Sequence, residues 1–172
     1  MTVSVRFSQS TLGEPVSLAQ SLGSITPGAS ANVYDVYISH TGTSPITDCG
    51  IYIIPYTAGI YLGTRTAQDD FDDILVWGDV SYPALTGGLY VNQNAAGGFD
   101  VADWETFRTG HGDSLANAFP LSVNAINLGA AVAGEIASGG EAHIRIRLDV
   151  PAGCTDTGTF YFDVKLDYTA TS

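Results

Sequence analysis

The sequence predicts a mainly all-β chain: an antiparallel β-sandwich interrupted by a loop-rich insertion that contains one short helix. Three observations carry this. Two C-terminal segments alternate apolar and polar residues along their length, the period of a strand with one buried face. The 20 glycines and nine tyrosines, set among many Val, Ile and Thr, favour strands joined by frequent turns. Apolar residues make up 45% of the chain and charged residues 14%, so this is a core-rich chain and not a disordered one. Its 172 residues suffice for one domain with a full core.

The elements follow in order. Val3, Val5 and Phe7 alternate at the start, so residues 1–25 read as a first strand or an extended arm. Residues 26–172 then form a single sandwich domain. "SLGSITPGA" is a turn, and "SANVYDVYIS" puts Tyr34, Val36 and Ile38 on one face of a strand. "GIYIIPYT" is the next strand, and Pro55 suggests that it ends near a sheet edge. The rhythm breaks over 58–120, where glycine pairs at 87–88 and 97–98 mark loops, and this stretch reads as the insertion. Val123 and Ile126 re-enter the sheet. In "EAHIRIRLDVP", Ala142, Ile144, Ile146, Leu148 and Val150 alternate with Glu141, His143, Arg145, Arg147 and Asp149. In "TFYFDVKLDY", Phe160, Phe162, Val164, Leu166 and Tyr168 alternate with Tyr161, Asp163, Lys165 and Asp167. The turn-rich "PAGCTDTG" between them predicts an antiparallel hairpin, with Arg145 and Arg147 facing Asp163, Lys165 and Asp167 across the ladder.

"AQDDFDDILVWGD" holds four aspartates in five positions. Phe71, Ile74 and Leu75 recur at helical spacing, which makes this the short helix. Asp69 and Asp70 then occupy the helix start, where free N–H groups favour negative charge, and Asp72 and Asp73 point to solvent. A calcium site built from Asp69, Asp70, Asp72 and Asp73 is the competing reading, although the spacing lacks the D-x-D-x-D-G pattern. A catalytic carboxylate pair is a third, with no neighbouring residue that suggests a pocket.

Other chemistry is sparse. No G-x-S-x-G elbow accompanies the three histidines, and His143 falls on an outer strand face between charges, where it reads as solvated. His111 and Asp113 share a Gly-rich loop without the spacing of a metal motif. Trp77, Trp104, Tyr82 and Tyr90 fall in or beside the insertion, where they form its small core, an interface anchor or a sugar platform. The net charge of -12, with Lys165 the only lysine, opposes nucleic-acid binding and repels anionic membranes. The start lacks the marks of a secretory signal, which predicts synthesis in a cytoplasm. No cofactor is expected.

"PGASANVYDVYISHTGTSPITDCGIYI" resembles the early strands of an immunoglobulin-like sandwich, and "GEIASGGEAHIRIRLDVPAGCTDTGTFYFDVKLDY" resembles its late strands. With "YLGTRTAQDDFDDILVWGD" and the Gly/Asn-rich middle, the chain is similar to tailed-bacteriophage virion proteins, which use such immunoglobulin-like or jelly-roll modules as head decoration or tail appendages. The resemblance implies a non-enzymatic virion protein, foremost a capsid decoration or cement protein. It would bind major capsid or tail proteins and its own copies, with Val3, Val5, Phe7, Trp77 and Trp104 as candidate interface residues. A tail, neck or baseplate protein, and a module for host glycan, are the alternatives. In such a sandwich the loops carrying Cys49 and Cys154 would cluster at one end, which would allow a disulfide. A bridge closing roughly 100 residues would contribute about 4–5 kcal/mol. Cytoplasmic synthesis opposes it, and a virion surface permits it later.

Overall fold

A computed structural model of the chain describes residues 5–8, 25–30, 33–56, 66–79, 87–154 and 161–170, with the backbone alone for 6–8. The elements in chain order are β1 (Val5–Ser8), β2 (Tyr34–His40), β3 (Ile46–Pro55), α1 (Ala67–Asp79), β4 (Gly88–Asn92), β5 (Trp104–Thr106), β6 (Phe119–Pro120), β7 (Ile126–Leu128), β8 (Glu141–Asp149) and β9 (Phe162–Ala170). They build two antiparallel sheets. The first runs β1-β2-β8-β4-β5, with β7 also paired to β8, and the second runs β6-β3-β9. The order β1-β2-β8-β4 is the A-B-E-D order of immunoglobulin sheets, and β3-β9 takes the place of their C and F strands.

The alternation read from the sequence makes the core. Ala142, Ile144, Ile146 and Leu148 of β8 are at most 4% exposed, and Ile51 and Ile53 of β3 at most 1%. Phe107 and Phe119 meet edge to face, ring centres 5.1 Å apart, within the same core.

Two expectations are corrected. First, β8 and β9 do not form a hairpin. β8 is flanked by β2 along one edge and by β4 and β7 along the other, so β9 crosses to pair with β3. Period two reports that a strand has a buried face; it does not name the neighbour. Second, the stretch read as an insertion over 58–120 supplies strands to both sheets. β4 lies between β8 and β5, and β6 lies beside β3. Every residue of β4 is buried, so it carries no alternation to read. Of the two readings of the start, the structure shows a strand over Val5–Ser8: Phe7 stands opposite Ile38 of β2, and Val5 packs half-buried against the core. Val3 lies outside the described residues.

One glycine secures the closure at β6. Gly112 has φ +68, and a Cβ there would sit 2.5 Å from Phe119 and 2.6 Å from Phe107. Gly112→Ala is expected to cost about 2–3 kcal/mol, from overpacking and the left-handed backbone together. Urea unfolding reads this directly; an unchanged midpoint would show that the two phenylalanines yield at no cost.

Candidate functional site

The aspartates of α1 divide into three structural jobs. Thr66 and Asp69 form a reciprocal cap. The Thr66 N–H and hydroxyl donate to Asp69 Oδ2 at 2.7 and 2.8 Å, and the Asp69 N–H donates back to Thr66 Oγ1 at 3.2 Å. Asp72 accepts from Gln68 Nε2 one turn earlier, at 2.7 Å. Asp70 departs from its expected place on the wet helix start. It is fully buried and accepts the Tyr161 N–H at 2.7 Å, just ahead of β9. Burial pushes its carboxyl up to about 6, against the pull of that N–H, and the neighbouring charge of Asp73 adds to the rise. The other face of α1 follows the sequence: Phe71 and Ile74 are buried, and Leu75 and Trp77 pack half-buried on the core. Among the described residues, no three His, Cys, Asp or Glu side chains gather as metal ligands.

The outward face of β8 was expected to be wet, and it is covered instead. Glu141 is 1% exposed and accepts from Ser39 Oγ at 2.8 Å and Asn127 Nδ2 at 3.0 Å. His143 stacks on Tyr37 with ring centres 4.0 Å apart, and meets Phe99 edge-on at 4.7 Å. Asp35 Oδ1 receives His143 Nε2 at 2.8 Å and Arg145 Nε at 2.7 Å. Burial acts to raise the Asp35 carboxyl, but these two partners outweigh it and hold it below its ordinary value. Arg147 lies over the Trp104 ring at 4.6 Å and the Tyr90 ring at 5.3 Å, with Nε 3.0 Å from Asp149 Oδ1. That approach is too oblique for a hydrogen bond, so the pair attracts by charge alone. The arginines thus find Asp35 and Asp149, not the aspartates of β9.

The segment that covers this face also walls a cleft of about 250 Å³. Its lining includes Trp104 with Gln93, Asn94, Asp103, Glu105 and Asn124. Gln93 is locked at both ends: its Nε2 donates to Pro120 O at 3.2 Å and its Oε1 accepts from Ser122 N at 3.0 Å. Asn94 is the pivot of the loop. It accepts from Gly97 N, donates to Asp103 Oδ2, and takes the Phe99 N–H on its carbonyl. Phe99 sits at φ 61, which for a bulky side chain is strain, and Arg145 covers its ring at 4.3 Å. Glu105 and Asn124 remain exposed beside the indole. A flat ring flanked by fixed carboxylate and amide groups suits a polyhydroxylated ligand.

The remaining candidates are dispersed. Cys49 and Cys154, the possible disulfide of the sequence reading, are not bonded to each other. The β2–β3 turn and residues 151–154, which follow β8, lie at opposite ends of the sandwich, because β8 runs its whole length between them, roughly 30 Å of strand. Cys49 is buried at the register shift of β3, next to Asp48 at φ 53, and burial pushes its thiol up to about 11. His40 is buried, with Nε2 2.6 Å from Ser44 O. Asp113 accepts from Gly110 N and Asn117 Nδ2, each at 2.8 Å, so it fastens its own loop, while His111 is exposed. Tyr90 is buried and donates to Gly87 O, and Tyr82 lies outside the described residues. Sequence reasoning missed Gln93, Asn94, Asp103 and Asn124. The one available signal, for Gln93 and Asn94, was the run of amides and glycines in "VNQNAAGGFD" three residues before "WET". No family model, curated protein or solved structure matches the chain.

The raised Asp70 carboxyl has a defined sign. It holds its proton to a higher pH in the folded chain than in the unfolded one, so ionisation works against folding. The penalty is absent below about pH 4 and complete once the pH has risen past about 6. Asp70→Asn keeps an acceptor for the Tyr161 N–H and cannot ionise. The variant should gain on the parent by roughly 2 kcal/mol between about pH 4 and pH 7, measured by paired urea titrations. A difference that stays constant with pH would contradict the assignment.

Proposed function

We propose that this chain is a non-enzymatic structural component of a phage virion: a capsid decoration or cement protein that binds the outer capsid through protein–protein contacts. The observation that carries the reading is the uneven cover of the sandwich. Inward side chains of β8 are at most 4% exposed, whereas Phe162, Val164 and Leu166 of β9 are half-buried and Tyr168 is 38% exposed. A partly open apolar surface along a sheet edge suits contact with another protein. The net charge of -12 suits an exterior position better than contact with packaged DNA. The likeness of the sequence to tailed-phage virion modules supplies the setting, with synthesis in the host cytoplasm. A tail, neck or baseplate position rests on the same grounds, and copy number separates the two.

A second reading is favoured by the Trp104 cleft: a binding module for a neutral host glycan, with the indole as platform and Asp103, Glu105 and Asn124 meeting hydroxyl groups. The carboxylates there disfavour acidic sugars.

Calibrated mass spectrometry of purified particles tests the first reading. Many copies per particle support a capsid decorator, a few rings' worth supports a tail part, and absence from particles would sink both. For the second, neutral oligosaccharides are titrated against the chain by calorimetry. Trp104→Ala should weaken binding about tenfold or more, and Trp104→Phe should retain part of it. No binding to any neutral sugar would dispose of the glycan reading.

A further inference from the structure

We infer that β9 pairs with β9 of a second copy of this chain, in antiparallel register about a two-fold axis at Leu166, joining the two three-stranded sheets into one. The inference deepens the protein-contact reading by naming one partner, and it rests on that reading.

The edges of the sandwich are treated unequally. β1 has four residues, β5 three, and β6 two, the last ending in Pro120. Short strands and proline are ways in which proteins prevent unwanted pairing at sheet edges. β9 has nine residues, with no proline or glycine among them, and stands last in the order β6-β3-β9. Among the described residues its far edge carries no strand. In the immunoglobulin order, that is the place of a further strand beside F. The side chains of β9 that reach the core are the ones left partly uncovered, so the gap is apolar on its inner side.

The sequence of β9 suits a copy of itself. Its outward face carries Asp163, Lys165 and Asp167; Phe162, Val164 and Leu166 pack inward on the core, and Tyr168 follows them in the alternation. A two-fold axis at Leu166 overlaps the whole strand, Phe162 against Ala170 of the second copy. It sets Lys165 opposite Asp167 twice, once on each side of the axis. On the inner face, Leu166 meets Leu166, and Val164 covers the exposed Tyr168. An axis at Lys165 would instead oppose lysine to lysine and Asp163 to Asp167. An axis at Val164 would leave Tyr168 beyond the end of the partner strand. The Lys165 side chain is 40% exposed and only 3.5 Å from Asp163 on its own strand, so it lies on the outward face that this register needs.

Sedimentation equilibrium of the full chain across concentration tests the pairing, with circular dichroism to verify that each variant is folded. The parent should form a dimer. Lys165→Glu replaces two attractions with two repulsions and should raise the dimer dissociation constant about tenfold or more. Asp167→Lys should do the same by opposing lysines. The double variant Lys165→Glu with Asp167→Lys restores opposite charges and should restore the dimer. A parent that stays monomeric, single variants that dimerise like the parent, or a double variant that stays monomeric would each overturn the inference. Incorporation into particles is scored separately: a monomeric chain found in particles refutes the pairing and leaves the virion reading standing, whereas a dimer absent from particles does the reverse.

Discussion

The rest of the structure depends on β8 being paired along both edges while its inner face is buried. A strand in that position has no exposed backbone and one free surface, its outer face. That face carries a glutamate, a histidine, two arginines and an aspartate. Their charges stay tolerable because each meets an opposite charge, a hydrogen-bond donor or an aromatic ring within the fold. Asp35 on β2, Asn127 on β7 and the rings of Tyr90 and Trp104 supply these partners from the strands on either side.

Ion pairs of this kind, one buried at Arg147–Asp149 and one partly exposed at Asp35, add little net stability, because desolvation or solvent screening offsets most of the attraction. Their effect is to penalise alternatives. If the register of β8 against β2 slipped by one residue, Arg145 would leave Asp35 and the apolar set would turn outward. The covering loop contributes in the same way. Asn94 makes its four polar contacts only if residues 92–103 take one course, and that course carries Phe99 into a strained conformation over Arg145. The cleft beside Trp104 is the outer wall of this arrangement.

Helix α1 ties the two sheets together. Its apolar stripe packs on the core, and Asp70 reaches the backbone just ahead of β9, so the second sheet is positioned by a buried carboxylate. Among the described residues β9 pairs with β3 alone, and its inward side chains are less covered than those of β8.

Much was legible in the sequence wherever a segment is buried on one side only. The alternation in β8 named its inward residues correctly, and the spacing of Phe71, Ile74 and Leu75 located the helix and its acidic start. β4 was not legible, because a strand buried on both faces has no period. The partners of Arg145 and Arg147, the separation of the cysteines and the burial of Asp70 were not legible either. Each depends on which elements lie side by side, and neighbouring strands can be more than a hundred residues apart in the chain, as Asp35 and Arg145 are. The sequence by itself determined that this protein is built of half-buried strands with one capped helix, since local periodicity and capping act within a few residues. Tertiary structure alone decided which strands pair, which charges are sheltered and which strand ends the order of each sheet among the described residues, because those follow from long-range packing.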